Sequence, residues 1–319
     1  MIEVFGPTYR YNNEILDKSE VIYINDHHFQ EDTKQWHVKT LLENSSVDPQ
    51  THLLVFDQMH HDDILNVYPH ICLPGYVARE TQDYINQGIT PNLREKTHTF
   101  NFMINKPRLS RQLLLVLIEK FCLKDFTYTL PWKSNPYSSL MPTTYTFGIK
   151  RQLDRGIQQG DINNAQTYTH LLQKNIFEPS CISLITEPSF LERETMHTEK
   201  TLMSIYAGTL PIWVGGWRLA DTLREMGFDI FDDIVDHSYE AYDDPWDRAY
   251  FAIEKNLGLL QDFKYVSRFI RHNQKRFKNN IKLLETNPFL KICNRVRKDN
   301  PRASTIWTDQ QSFDRVLGR

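Results

Sequence analysis

The chain has 319 residues, of which 40% are hydrophobic and 24% are charged, and its formal net charge is −3. This length is enough for two domains with substantial cores, and the composition is that of an ordinary globular protein. It excludes an intrinsically disordered chain, which has a lower hydrophobic content.

The cysteines and the apolar runs argue against further classes of protein. The four cysteines lie far apart and form no Cys-x-x-Cys pair, so we expect neither a disulfide framework nor a zinc site. No apolar run reaches membrane-spanning length, and the N-terminus lacks a basic region followed by an apolar core. We therefore expect no membrane partner and a cytoplasmic protein, in a bacterium or in a virus-infected cell.

The first 95 residues are predicted to form a small α/β domain. Buried strands are expected where short runs of β-branched, aliphatic and aromatic side chains occur, at 21–24, 52–56 and 71–73. Polar residues follow each run, including Asp26 and Asp57 after the first two. Because a doubly wound domain places its working groups at the carboxyl ends of its strands, these two acids are candidate functional residues.

A cluster of metal-capable side chains, His60-His61-Asp62-Asp63, comes shortly after the second predicted strand. Adjacent residues of one segment rarely all face the same ion. We interpret the cluster as a solvated loop and expect no metal.

Residues 78–98 are polar and show no clear apolar period. We place a hinge at 91–96, which divides the chain into domains at 1–95 and 96–319. The second domain opens with alternating strands and helices, at 99–104, 108–120, 127–131 and 163–174. The intervening loop at 131–156 is longer than a compact domain needs, so we predict that it covers a substrate.

The central part of the second domain reads as a strand, a helix and a second strand. The strands are predicted at 181–185 and 211–214, and Gly208 ends the helix between them. Glu187, Glu199 and Lys200 all fall at the carboxyl end of the first strand, where ligands of such βαβ units lie. A helix N-terminus with a lysine in its first turn suits a phosphate, and Glu199 suits sugar hydroxyls. The alternative is an ordinary first-turn acid beside a solvated lysine.

This unit resembles the donor-binding signature of the GDP-fucose-dependent fucosyltransferases. The resemblance rests on Thr198-Glu199-Lys200 before the helix, on the run AGTLPIWVG at 207–215, and on Glu187 as the acid that ends the strand. Pro188 stands where that family usually has an asparagine. The resemblance implies that Glu187, Thr198, Glu199 and Lys200 bind the donor, with Glu187 near the sugar or ribose.

An upstream segment at 100–121 resembles the strand and helix that open the same donor domain. In that family an asparagine ends the strand and an arginine of the helix reaches the diphosphate. Asn105 and Arg111 occupy these positions, so the resemblance implies that both bind the donor. A guanidinium offers a planar fork of donors for phosphate oxygens.

The segment at 219–248 resembles fucosyltransferase-like proteins of phages and other large viruses, with its Gly-Phe-x-x-Phe, Asp-x-Ser-Tyr and acid-rich arginine motifs. The resemblance implies an α/β fold of two Rossmann-like domains facing a cleft, the arrangement called GT-B. It implies a glycosyltransferase that uses a nucleotide-diphosphate sugar as co-substrate, without a cofactor or a metal. An inverting transfer needs a base within hydrogen-bond reach of the acceptor hydroxyl, and the resemblance implies that the first domain supplies it. Asp57 is our first candidate and Asp26 our second.

Charge is distributed unevenly in the C-terminal third. Residues 221–247 hold ten acids against one arginine, whereas residues 264–302 hold six lysines and six arginines against two acids. A helical pattern at 246–280, broken near Asp262, carries part of the basic stretch. Interleaved aromatic residues make it a candidate surface for double-stranded DNA, through Arg268, Arg271, Lys275, Arg276 and Lys278. The alternative is a helix pair whose basic face packs near the acidic stretch.

The sequence thus predicts a nucleotide-sugar glycosyltransferase whose acceptor is a hydroxymethylated base of phage DNA. A saccharide or protein acceptor is the main alternative. A non-catalytic binding module derived from a transferase is the alternative from another class. The sugar, the nucleotide, the stereochemical outcome and the oligomeric state stay open.

Overall fold

The computed structural model describes residues 2–5, 21–25, 48, 52–56, 59–60, 70–93, 95–104, 109–129, 173–187, 190 and 194–300. These residues form an α/β structure built on two four-stranded parallel sheets. The α/β class predicted from the sequence is therefore confirmed.

The first sheet belongs to the N-terminal part of the chain. Its order is β1-β2-β3-β5, formed by β1 (Ile2–Phe5), β2 (Val21–Asn25), β3 (Leu53–Phe56) and β5 (His70–Cys72). All neighbouring strands are parallel, and β3 is buried along its length because all four of its residues are apolar. A short strand β4 (Met59–His60) pairs antiparallel with β9 (Glu194–Thr195) of the second half.

The second sheet has the order β10-β8-β6-β7, again with parallel neighbours. Its strands are β6 (His98–Met103), β7 (Phe126–Thr129), β8 (Ser180–Ile185) and β10 (Leu210–Trp213). The α-helices of the described residues are α1 (Gly75–Asn86), α2 (Leu109–Lys120), α3 (Glu199–Ala207), α4 (Leu219–Glu225), α5 (Pro245–Glu254), α6 (Leu257–Gln261), α7 (Phe263–His272), α8 (Gln274–Glu285) and α9 (Pro288–Asp299).

The two faces of the second sheet are chemically different. One face carries aromatic side chains, such as Phe100 and Phe102, and packs against α2, α5 and α7. The face under α3 carries a chain of buried hydrogen bonds in which the Asn101 amide donates to Ser183 Oγ at 3.1 Å, and Ser183 contacts Thr209 Oγ1 at 2.7 Å. These hydrogen bonds pair buried polar groups of β6, β8 and the residue before β10 with one another.

Helix α1 corrects the prediction that residues 78–98 lack an apolar period. Val77, Ala78, Thr81 and Tyr84 are buried, which is the three- and four-residue spacing of a helix face. The pattern was missed because the face is short and includes a threonine, whose hydroxyl donates to the Val77 carbonyl at 2.7 Å. The helix packs on α3, α8 and α9, so the N-terminal part of the chain shares a core with the second half.

The other predicted elements agree with the structure within a few residues. The predicted helix at 108–120 is α2, and the break near Asp262 separates α6 from α7. The helical stretch also breaks at 255–256 and at Asn273. The loop at 131–156 and most of the helix at 163–174 lie outside the described residues, and 173–174 belong to a π-helical turn, Gln173–Phe177.

None of the helices in the described ranges is long and apolar enough to cross a membrane.

Candidate functional site

The site forms where β8 ends and α3 begins. The Glu187 side chain is 1% exposed, and three donors reach its carboxylate. The Thr198 N–H and the Thr201 hydroxyl donate to Oε1, each at 2.9 Å, and the Thr198 hydroxyl donates to Oε2. The carboxylate therefore occupies the N-terminal end of α3, where a helix has unpaired N–H groups and a partial positive charge.

Lys200 points into the same cluster and is 4% exposed. Its Nζ lies 3.0 Å from Thr198 Oγ1, 3.2 Å from Glu199 Oε1 and 3.7 Å from Glu187 Oε2. The alternative of a solvated lysine is therefore wrong. Burial raises the pKa of Glu187, and the Lys200 ammonium opposes that rise.

Glu199 is the more open carboxylate of the cluster, with 27% of its side chain exposed. Besides Lys200 it receives a hydrogen bond from the Tyr76 hydroxyl, which lies 3.4 Å from Oε2. Burial raises the pKa of Tyr76, so the phenol keeps its proton and acts as the donor. Glu199 is therefore held by one group from α3 and one from α1.

Helix α1 lies alongside α3 in the same direction. Tyr76 contacts the start of α3, and the ring of Tyr84 lies 5.3 Å from that of Tyr206 near its end. Glu80 lies between Tyr76 and Tyr84 on the same face of α1, because the three are spaced by four residues. Burial and the nearby Glu199 carboxylate raise the pKa of Glu80 to about 7.

Tyr76 and Glu80 are site residues that the sequence analysis missed. Their only sequence signal is the four-residue spacing Tyr76, Glu80, Tyr84, most of which falls in the stretch 78–98 that was interpreted as lacking an apolar period. Nothing in that spacing says which helix it faces. The contact with α3 becomes visible only in the folded chain.

Buried residues with aromatic rings pack beside the polar cluster. The Trp213 indole N–H donates to Thr201 Oγ1 at 3.1 Å, which leaves the Thr201 proton for Glu187. His197 packs between Trp213 and Phe289, with ring centroids 6.0 and 6.2 Å apart. Burial lowers the pKa of His197 to about 3, so its imidazole is neutral and acts as a packing group.

The structure brings four of the predicted donor residues together, namely Glu187, Thr198, Glu199 and Lys200. Arg111 lies in the first turn of α2 and is 5% exposed. Since α2 and α3 follow the neighbouring strands β6 and β8, both helices begin at the same edge of the sheet. Asn105 lies outside the described residues.

The predicted bases also lie outside the described residues. Strand β2 ends at Asn25 and β3 ends at Phe56, immediately before Asp26 and Asp57 respectively. Strand β3 therefore ends where the sequence analysis placed its end, and β2 ends one residue later than predicted. The role of either acid stays a prediction.

The predicted nucleic-acid-binding residues separate into two groups. Arg268, Arg271, Lys275 and Lys278 are exposed on α7 and α8. Arg276 instead forms two bidentate ion pairs, with Asp229 at 2.6 and 2.8 Å and with Asp233 at 2.8 Å. Its guanidinium lies 4.8 Å from the Phe231 ring centroid. The alternative of a basic face packed near the acidic stretch therefore holds for Arg276.

A second cluster of charges lines a cleft of about 460 Å³ beside β10. The two oxygens of Glu240 accept the Ala220 N–H at 2.9 and 3.1 Å. Burial and the Asp221 carboxylate raise the pKa of Glu240 to about 7. The arginines of the cleft are paired with acids, Arg218 with Asp221 and Arg224 with Asp232, so the network ties α4 to the segment after it.

No protein-family model matches the chain, and no curated protein matches it. The resemblance to fucosyltransferases therefore stays a prediction. Among solved structures, the chain is similar to a DNA-modifying β-glucosyltransferase determined with and without uridine diphosphoglucose, at 10% identity and a TM-score of 0.41. It is also similar to the T4 phage β-glucosyltransferase in complex with UDP-glucose, at 11% identity and a TM-score of 0.38. Each match covers 96% of this chain and 77% of the other.

Proposed function

We propose that the chain is a glycosyltransferase of the GT-B arrangement, which moves a sugar from a nucleotide-diphosphate donor to an acceptor hydroxyl. One observation carries the proposal. The Thr198-Glu199-Lys200 segment forms a polar cluster at the carboxyl edge of one parallel sheet, and a helix that follows the other sheet faces it. A ligand held there lies between the two halves of the chain, where α/β proteins bind their substrates.

Each residue of the cluster has a role that follows from its exposure. Glu199 is the group a donor reaches first, and its carboxylate accepts hydrogen bonds from ribose or sugar hydroxyls. Glu187 and Thr198 are buried and fix the start of α3. Lys200 stands on a flexible stem, so its ammonium turns from Glu199 towards a bound diphosphate, and Arg111 is the second cation assigned to that group.

The position of Glu187 refines the phosphate site that the sequence predicted. Because its carboxylate already accepts the Thr198 N–H at the start of α3, the helix terminus alone does not bind the diphosphate. Side-chain cations supply the charge that stabilises the departing nucleotide instead.

The acceptor we propose is a hydroxymethylated base of double-stranded DNA. Support comes from the exposed cations of α7 and α8, which have no ion-pair partner among the described residues and are spaced along two helix faces. Such cations neutralise backbone phosphates. The ion pairs of Arg276 favour the alternative of a packed helix pair, in which case the acceptor is a saccharide or a protein.

The test is nucleotide release from UDP-glucose and from a panel of other UDP- and GDP-sugars, each with and without hydroxymethylcytosine DNA at low salt. Release that depends on the DNA supports both the transferase and the acceptor. Release that is independent of DNA supports a transferase and favours a saccharide or a protein as the acceptor. If no donor binds or turns over, the proposal fails and the non-catalytic binding module takes its place.

A charge variant checks the DNA surface separately. Replacing Arg268, Arg271, Lys275 and Lys278 with alanine is expected to weaken DNA binding and to reduce the slope of log K against log salt by roughly 0.9 for each phosphate that the protein no longer neutralises. The matched control is Arg276→Ala, whose guanidinium is held by Asp229 and Asp233. An unchanged slope in the fourfold variant contradicts the proposed surface.

A further inference from the structure

Glu80 occupies a position that the donor motif itself does not explain. It lies one helical turn from Tyr76 and one from Tyr84, about 6 Å along the axis from each. Both tyrosines contact α3, at Glu199 and at Tyr206. Glu80 therefore faces α3 from a helix of the N-terminal part, and it is half-buried rather than enclosed.

The charges around Glu80 do not balance. Four carboxylates, those of Glu80, Asp83, Glu187 and Glu199, share the neighbourhood with two cations, Lys200 and Arg79. The Lys200 ammonium already contacts Glu187, Glu199 and the Thr198 hydroxyl. The cluster thus holds more carboxylates than cations.

The groups that act on Glu80 come from two helices. Glu199 raises its pKa and Lys200 lowers it from α3, and Asp83 raises it and Arg79 lowers it from α1 itself. The other helices packed on α1 add apolar side chains to the shared core, such as Leu284 of α8 and Phe289 and Cys293 of α9. With burial as the largest cause, the pKa of Glu80 is about 7, so the group exchanges its proton near neutral pH.

Three other glutamates of the two charge clusters already accept hydrogen bonds from neighbouring groups. Glu187 is buried and accepts three hydrogen bonds, Glu199 is held by Lys200 and Tyr76, and Glu240 receives the Ala220 N–H of α4 in the separate cleft. Glu80, by contrast, is partly exposed and accepts none of the hydrogen bonds found among the described residues, and it belongs to the first domain, from which the sequence analysis expects the base.

We propose that Glu80 is the general base of the transfer. This inference rests on the proposed function. The Glu80 carboxylate takes the proton of the acceptor hydroxyl as that oxygen bonds to the anomeric carbon. The bond from the anomeric carbon to the phosphate oxygen breaks, and its electron pair leaves with the nucleoside diphosphate. Glu80 thereby takes the role that the sequence analysis gave to Asp57 or Asp26.

The first experiment compares wild type with Glu80→Gln, which keeps the shape of the side chain and removes the base. For wild type, kcat is expected to rise with pH through about 7, because the carboxylate must be ionised. The variant is expected to lose roughly 10²- to 10⁴-fold in kcat. Its kcat is expected no longer to rise with pH through about 7, which is the acid limb of the wild-type profile. Its affinity for the donor, measured by calorimetry, is expected to be unchanged. A variant that turns over at the wild-type rate with the same pH profile overturns the proposal.

Asp83→Asn is the matched control, since it removes a carboxylate one turn away on the same helix. It is expected to keep kcat and to keep the acid limb, moved to lower pH because Asp83 raises the pKa of Glu80. Loss of the limb in this control as well as in Glu80→Gln shows a general effect on α1 and counts against the base. Full activity of Glu80→Gln together with an inactive Asp57→Asn restores the earlier candidate.

A second readout does not need turnover. The infrared carboxylic C=O band that disappears in Glu80→Gln is expected to titrate near pH 7 in the wild-type protein. A band that titrates at the ordinary glutamate pKa overturns the inference even if the chain is a transferase. A wild-type protein that binds no nucleotide sugar overturns the proposed function instead, whatever the band does.

Discussion

The start of α3 and the surface of α7 and α8 contain similar residue types in very different surroundings. At α3, two carboxylates and a lysine are drawn together by buried hydrogen bonds, and Lys200 is 4% exposed. On α7 and α8, cations such as Arg268 and Lys278 are exposed and have no ion-pair partner among the described residues. A buried charge depends on its partners for its ionisation and contributes to stability, whereas an exposed charge acts mainly on other molecules.

The same contrast between paired and exposed charges occurs within helix α8, at Arg276. It lies between Lys275 and Phe277 on α8, yet its guanidinium is committed to Asp229 and Asp233. The predicted basic surface therefore contains one residue that ties the acidic stretch to the helix. Substitutions in the two regions, and at the buried Glu240 of the cleft beside β10, are expected to have graded effects on stability, with the largest effect in the buried cluster at α3.

Glu187→Ala is expected to lower the free energy of unfolding by about 3–5 kcal/mol, because it leaves the Lys200 ammonium and the Thr198 N–H without the carboxylate that holds them. Urea unfolding measures the loss. Glu187→Gln is the control: it retains an acceptor for the Thr198 N–H, and its loss is expected to be smaller. An alanine variant within about 0.5 kcal/mol of wild type contradicts the description of a buried charge cluster.

Glu240→Gln tests the pH dependence that burial creates. The folded pKa of Glu240, about 7, lies above the unfolded value of 4.5. Its contribution to stability is therefore fully present below pH 4.5 and is lost as the pH rises to 7. Between these values the wild-type protein is expected to lose roughly 1–3 kcal/mol relative to the variant. Parallel curves of unfolding free energy against pH for the two proteins contradict this.

Arg276→Ala is expected to lower the free energy of unfolding by about 1–2 kcal/mol. Exposed ion pairs are worth less than this individually, but the paired geometry with two aspartates and the stacking on Phe231 add to the effect. Arg268→Ala on the neighbouring helix is the matched control and is expected to change stability by at most about 0.5 kcal/mol. Equal effects of the two variants erase the distinction between the paired and the exposed cations.

Much of the second sheet was predictable because its strands and helices carry strong local signals. The apolar run that forms β8 and the Gly208 that ends α3 are of this kind, and Gly208 has the positive φ of 60° that the prediction requires. Glu187 and Lys200 were correctly placed at one edge of the sheet, because the carboxyl ends of parallel strands meet there.

The burial and the partners of the site were not predictable in the same way. Local sequence gives the direction of a side chain along its own helix, but not the helix that covers it. The covering helix α1 lies more than a hundred residues from α3 in the sequence, and most of its short apolar face falls in the stretch 78–98 that was interpreted as lacking an apolar period. Tyr76 and Glu80 were missed for this reason, and Lys200 could not be distinguished from a solvated lysine.

The most direct test of the donor site is the affinity of nucleotide sugars for the wild-type protein and for Glu199→Gln, measured by titration calorimetry with Lys278→Ala as the control. We expect one donor to bind wild type and Lys278→Ala equally, and to bind Glu199→Gln at least about tenfold more weakly, because a charged acceptor of hydroxyl hydrogen bonds is removed. No binding to wild type, or equal binding to all three proteins, contradicts the assignment of the α3 cluster as the donor site.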